Sequence, residues 1–335
     1  MPVETGGWEF SMAKVSAKVK TQVQVEQPMQ KLGFTKTMQK WWGQRYLQFM
    51  VLPGLIWMLI FNYVPMAGIV IAFKKFKITK SIAEAPWVGL KYFIEFFQDS
   101  NFSDIIVNTL GISLLKLIVG FPIPIIFALL LNEIRGTKFK KFSQTISYLP
   151  HFLSWVVLGG ILVTWLSKDG VINDFFMAIH VIKEPVSFLG QPKFFWGLSF
   201  LSDSWKELGW SAIIYLAAIS GVDQQIYEAA TVDGANKIQK IIYITLPSIT
   251  GTIAVMLILQ VSGLLNSNFD QILILKNQIN ISRSQVIDTY VYQVGMTMGK
   301  YSYATAVGLF KSVIALFLLV IANKSCKKLL GRTLY

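Results

Sequence analysis

Residues 46–73 contain no Asp, Glu, Lys or Arg, and neither do residues 241–269. Each stretch is longer than the ~20 residues an α-helix needs to cross a bilayer's hydrocarbon core. Composition points the same way. Charged residues are only 15% of the 335, against roughly 25% in a soluble domain, and the mean hydropathy is +0.52. The single cysteine, Cys326, cannot form an internal disulfide and sits among Lys324, Lys327 and Lys328, which fits a reducing, cytosolic setting.

Six spans are predicted, at about 46–73, 105–131, 142–166, 194–222, 248–265 and 303–323. The fourth is the weakest, because Asp203, Lys206 and Glu207 interrupt it. The first 45 residues are polar and basic, lack the apolar core of a cleavable signal peptide, and read as a cytosolic arm. In that arm the segment 34–42, with Trp41 and Trp42, reads as an interfacial anchor. Lys and Arg are more frequent on segments facing the cytosol if both termini lie inside. Lys74, Lys75, Lys77, Lys80 and Lys91 in the first outer loop weaken that bias. The domain reading is a basic arm (1–45), a permease-like membrane domain (46–323) and a cytosolic tail (324–335). The apolar run 175–182 reads as a short helix at the outer interface.

Between spans four and five lies EAATVDGANKIQKIIYITLP, from Glu228 to Pro247. Asp223 suits an N-cap. Residues 224–232 make about two turns, and Asp233-Gly234 signals a turn where glycine takes a positive φ. A second helix is predicted over 235–246, with Ile238, Ile241, Ile242 and Leu246 as an apolar stripe against the bundle. Pro247 would stop it or start the next span. The opposite face shows Glu228, Thr231, Asp233, Asn236, Lys237 and Lys240. Pattern alone leaves a plain connector between spans as an equal reading.

The E-A-A triplet, the glycine six residues after the glutamate and the closing I-x-L-P resemble the "EAA" loop of bacterial ABC importer membrane subunits. Glu228, Ala229, Ala230, Gly234, Ile244, Leu246 and Pro247 match. The resemblance covers about 44–335. It is closest to the maltose-permease-like branch and, within it, to the lipoprotein-associated polysaccharide permeases of Gram-positive bacteria. It is carried also by Asn108-Thr109-Leu110, FPIPIIFALLLNEIR (121–135), YLPHFLSW (148–155) and YATAVGLFK (303–311). The resemblance implies an all-α membrane protein of the type I ABC importer permease fold, in which 223–247 couples to a cytosolic ATPase. Glu228, Ala229, Ala230, Asp233, Gly234, Asn236, Lys237 and Pro247 would carry that coupling. Implied partners are a second permease subunit, two ATPase subunits holding ATP-Mg, an extracellular solute-binding lipoprotein and an oligosaccharide, in the bacterial cell membrane.

No cofactor is expected on this chain itself. Gly299-Lys300 runs into Tyr301 and the phosphate-loop spacing fails. His151 and His180 belong to no metal-binding pattern. The net charge of +13 is better explained by span orientation and anionic lipid than by nucleic acid. Pro122 and Pro124 either kink a packed helix or free carbonyls towards a pathway.

Lys116 and Lys311 lie within spans. At 1.5 Å per residue they fall about 17 and 12 Å below the span starts at Ile105 and Tyr303. A lysine at such depth should not face lipid. Glu207, near the outer end of span four, reads as a poor partner for a midplane charge. Backbone carbonyls or the second permease would satisfy both lysines, or they line a substrate path together with His151 and Trp155. The competing functional class is a secondary transporter or channel without an ATPase. A membrane enzyme lacks any acidic dyad or metal set at membrane depth.

Overall fold

The computed structural model describes residues 42–330. The 34–41 part of the expected anchor, Trp41 included, and residues 331–335 lie outside them. Trp42 is described and exposed. Among the described residues the chain is helical with no strand, apart from one isolated bridge between Lys74 and Trp87. The described residues divide into two compact units, with the boundary between Ala67 and Gly68.

We number the helices α1 (Arg45–Phe73), α2 (Lys91–Phe97), α3 (Phe102–Glu133), α4 (Thr137–Phe152), α5 (Trp155–Trp165), α6 (Val171–Ala178), α7 (Phe195–Ser220), α8 (Gln224–Val232), α9 (Lys237–Ser262), α10 (Phe269–Leu275), α11 (Ile281–Ser284), α12 (Ile287–Tyr292) and α13 (Tyr301–Leu330). By length and apolarity α1, α3, α9 and α13 can each cross a membrane. The sixth span's helix runs past the expected end at 323 to Leu330.

The expected continuous third span, 142–166, is instead two helices, α4 and α5, bent by 100°. Pro150 sits in the tight turn Leu149–Phe152, and Leu153 and Ser154 are extended, with ψ of 135° and 152°. Ser154 then opens α5 by accepting from Val157 N–H at 3.3 Å. The basic part of α4, Thr137–Tyr148, with KFKKF near its start, buries no residue. The 11 residues of α5 rise only about 16 Å, so the pair together makes the fifth candidate crossing. The fourth span, α7, is an unbroken helix of 26 residues; its charges alone keep it from reading as apolar.

Three of the prolines within the long helices are accommodated by a common device. Wide π-turns at Leu59–Tyr63, Lys116–Gly120 and Ile241–Thr245 stand just before Pro65, Pro122 and Pro247. A helical proline has no N–H for the carbonyl four residues back, and its ring crowds that carbonyl. Bonding one residue further back relieves the crowding, as in Val64 N–H to Leu59 O and Leu246 N–H to Ile241 O. Pro247 therefore neither stops a helix nor starts one. The expected separate helix 235–246 is the first part of α9, continuous with the fifth span.

Packing within the second unit is arranged in layers. One apolar cluster joins Phe96, Ile105, Ile287 and Val307; another joins Ile112, Phe195, Ile272 and Val286. A third, nearer the 223–236 turn, joins Ile125, Ala128, Ala212, Tyr215 and Ile249. On α3, Lys116 falls between Ile112 and Ile125. On α7, Asp203, Lys206 and Glu207 fall between Phe195 and Ala212. The charges thus meet in a polar layer between two apolar ones, which lets both helices keep them.

Candidate functional site

The polar layer encloses a cavity of about 280 Å³ lined by Lys116, Asp203, Ser204, Glu207, Ser211 and Gln260 among others. Lys116 opens the π-turn of α3, and its Nζ lies 3.0 Å from Asp203 Oδ2 and 3.2 Å from Gln271 Oε1. Asn268 Nδ2 donates to the other Asp203 oxygen at 2.8 Å. Gln271, fully buried, donates through Nε2 to Ser199 O and Ser202 Oγ at 2.6 and 2.8 Å. Asn268 holds a left-handed φ of 53°, which asparagine tolerates better than most residues. Irregular backbone between α9 and α10 and the first turn of α10 thus bring the two amides to the charged pair.

Lys311 does not line this cavity. It is ion-paired with Asp288 and donates to Asn266 Oδ1 at 2.8 Å. Each of the two lysines is therefore paired with a carboxylate of this chain. A charge at membrane depth demands a partner, and Asp203 and Asp288 supply it.

His151 borders the layer without lining the cavity. Its Nδ1 lies 2.8 Å from Glu207 Oε2, and its ring stacks on Trp210 with centroids 4.4 Å apart. Lys206 donates to His151 O at 2.6 Å and lies 3.5 Å from Glu207 Oε1. Its ammonium therefore caps the carbonyl end of α4 at the bend, where a helix terminus favours a cation. Trp155 is buried at the start of α5, with Lys206 Nζ 5.9 Å from its ring centroid. It supports the bend and is absent from the cavity wall.

The expected coupling segment forms at the far end of α7. Asp223 caps α8 by accepting from Gln225 N–H at 2.9 Å. Gly234 adopts φ 78°. Asn236 and Gln239 form a reciprocal cap on α9, at 2.9 and 2.8 Å. Lys240 Nζ donates to Thr231 Oγ1 at 2.7 Å, and Tyr227 OH meets Thr245 Oγ1 at 2.8 Å, so the two helices are clasped across the turn. Between them lies a groove of about 380 Å³ lined by Ala230, Asp233, Gly234, Ala235, Tyr243 and Ile244 among others. Glu228, Ala229, Asp233, Asn236 and Lys237 are exposed, and Lys237 lies 3.7 Å from Glu133. The expected apolar stripe is not packed against the bundle throughout: Ile238 and Ile242 are exposed in this chain.

Residues 120–328, more than half the chain, match the family of binding-protein-dependent transport system inner membrane components. The polygalacturonan/rhamnogalacturonan transport system permease protein YteP of Bacillus subtilis is 45% identical over 286 residues, 85% of this chain and 88% of that protein. Protein LplB of the same organism is 43% identical over 285 residues, covering 85% and 89%. Among solved structures, a bacterial ABC transporter involved in import of the acidic polysaccharide alginate superposes with a TM-score of 0.81 at 39% identity, over 88% of this chain and 99% of that one. The same TM-score, at 38% identity over 90% and 99%, is found for an alginate transporter in complex with an alginate pentasaccharide-bound periplasmic protein. The layered helices, the clasped turn at Gly234 and these likenesses agree, and the chain belongs to the binding-protein-dependent ABC importer permeases, multi-pass membrane subunits of the type I fold.

Proposed function

We propose that the chain is half of the channel of an importer for acidic oligosaccharides released from a polysaccharide. Its termini and the 223–236 turn lie in the cytosol. A companion permease completes the channel, two ATPase subunits binding ATP-Mg dock at the turn and the adjoining groove, and an extracellular lipoprotein delivers the saccharide. The observation that carries this reading is the polar cavity. Helices that must sit in lipid retain Lys116, Asp203 and Glu207 around a space of about 280 Å³, although each such charge at the centre of a span costs about 2.5–3.5 kcal/mol to insert. A packed helical bundle has no need of them. Support for the substrate class comes from the relatives, named for polygalacturonan, rhamnogalacturonan and alginate.

Reconstitution tests it. The chain, its companion permease, the ATPase and the lipoprotein are placed in proteoliposomes with trigalacturonate. Uptake that requires ATP and the lipoprotein is expected. Uptake driven by an ion gradient without ATP would favour a secondary transporter, and no uptake of any acidic oligosaccharide would refute the substrate class.

A further inference from the structure

A second concentration of chemistry lies away from the cavity, beside the start of α7. A cleft of about 480 Å³ is lined by Pro192, Lys193, Trp196 and Arg283. Arg283 lies over the Trp196 ring, with its guanidinium carbon 5.2 Å from the centroid. The indole is held rigidly. Its Nε1 donates to Asn108 Oδ1 at 3.1 Å and to Arg283 O at 3.0 Å. Its ring rests on Gly111, where a Cβ would come within 2.4 Å. Buried Asn108 also donates to Ser282 O and Gln285 O, at 3.0 and 3.2 Å, so the α11 turn that bears Arg283 is tied to α3.

The charges here differ in kind from those of the polar layer. Lys116, Lys206 and Lys311 each face a carboxylate of this chain. Lys193 and Arg283 are exposed and in no ion pair among the described residues. A guanidinium stacked on an indole loses little freedom on binding and offers its fork to a planar carboxylate. The cavity is a poor place to recognise a carboxylate, because its one lysine is already neutralised by Asp203.

We propose that Lys193, Trp196 and Arg283 form an entry subsite that grips a carboxylate of the acidic saccharide before it reaches the cavity. The position supports a saccharide over a carboxylate on the delivering lipoprotein. Trp196, Asp203 and Glu207 are spaced at i, i+7 and i+11, hence on one face of α7, and Asp203 lies about 10 Å along the axis from Trp196. Buried Phe200, packed towards Gly120, separates the two sites. A linear acidic saccharide held at the cleft would be aligned with the cavity that opens next. The proposal rests on the reading of function above.

The test uses the purified transporter complex, as wild type and as Lys193→Gln, Arg283→Gln and the double variant. Binding of trigalacturonate and of its fully methyl-esterified form is measured without lipoprotein. Wild type is expected to prefer the acid by about tenfold, as fits a charged hydrogen bond, with the preference shrinking as salt rises. The double variant should lose that preference and keep the weak affinity for the ester. No preference in wild type, or an undiminished one in the double variant, overturns the proposal. So does a matching loss of affinity for unloaded lipoprotein, which would assign the cations to protein docking. Lipoprotein-dependent uptake of trigalacturonate by wild type separates the two levels: its absence refutes the function itself, and its presence with unaltered variant binding refutes only the cleft.

Discussion

Lys116 Nζ lies 3.0 Å from Asp203 Oδ2 where α3 crosses α7, and the pair's other side-chain partners, Asn268 and Gln271, come from the break between α9 and α10 and the helix that follows it. The same break supplies Asn266 to the Lys311–Asp288 pair. One irregular segment, 263–268, therefore touches both half-buried charge pairs, and movement of α9 relative to α3 or α13 must disturb one of them.

Removing one member of the first pair should destabilise the protein more than removing both. Lys116→Met strands a carboxylate that is only 20% exposed; breaking a fully buried pair costs about 3–5 kcal/mol, and this half-buried one should lose less. Lys116→Met/Asp203→Leu replaces it with apolar volume and should recover most of that loss. Melting of the purified complex measures both. A single variant as stable as wild type would show that the pair is not structural. Lost uptake in a stable double variant would place the charges on the substrate path.

Gly234→Val should uncouple transport from ATP hydrolysis while the subunit still inserts. The position has room, with nothing within 4 Å of an added Cβ, but its φ is 78°. A β-branched residue there costs at least about 1–2 kcal/mol, and the clasp between Lys240 and Thr231 would open. Substrate-stimulated ATP hydrolysis is the readout, and full stimulation in the variant would remove the turn from the coupling path.

The turn was legible because its signals are local. Asp223, Gly234 and the boundaries 224–232 follow from capping and φ preference, and the structure reproduces them. The partners of Lys116 and Lys311 were not, because they are set by which helices touch. A depth argument was within reach: Asp203 lies about 12 Å below Phe195 at 1.5 Å per residue, close to the level of Lys116 on a span read as running in the same direction. The bend at Pro150 was hidden by apolarity, since 142–166 reads as one greasy run whether straight or folded. The continuity of α9 through Pro247 was hidden for a related reason. A proline normally marks an end, and the π-turn that accommodates it leaves no sequence signature.

A cysteine at Asn236, in a Cys326→Ser background, should react with a membrane-impermeant thiol reagent in inside-out vesicles only. Asn236 is exposed beside Gly234, so access is limited by the membrane and not by packing. Labelling in intact cells would reverse the orientation and with it the assignment of the ATPase groove.

Acid should weaken the ties of the turn between α2 and α3 to α12 and α13. Burial tends to raise the Asp99 carboxyl, but hydrogen bonds from Tyr290, the Asn101 N–H and Tyr303 outweigh it and hold the group below its usual value. A depressed carboxylate contributes stability that is present above its unfolded pKa and fades as pH falls through the folded one. Asp99→Asn should flatten that acid-side loss in melting experiments. An unchanged acid slope would mean that another group dominates there.

Gly209→Ala should disrupt assembly, although both residues are small and alanine favours helix. A Cβ at Gly209 would lie 2.2 Å from Ser147 O and 2.4 Å from Ser147 C. These are backbone atoms of α4 just before its bend, so no side chain can rotate away. The crossing of α7 over α4 would have to open, and with it the contacts of Lys206 to Pro150 O and His151 O that hold the bend. Overpacking of a fixed crossing costs typically about 1–3 kcal/mol. Gly197→Ala is the matched control. It lies on the same helix with nothing within 4 Å, where alanine should gain up to about 1 kcal/mol of helix propensity. Yield and melting temperature of the assembled complex should therefore fall for Gly209→Ala and hold or rise for Gly197→Ala. Equal behaviour of the two variants would mean that α7 and α4 are not in close contact in the assembled transporter.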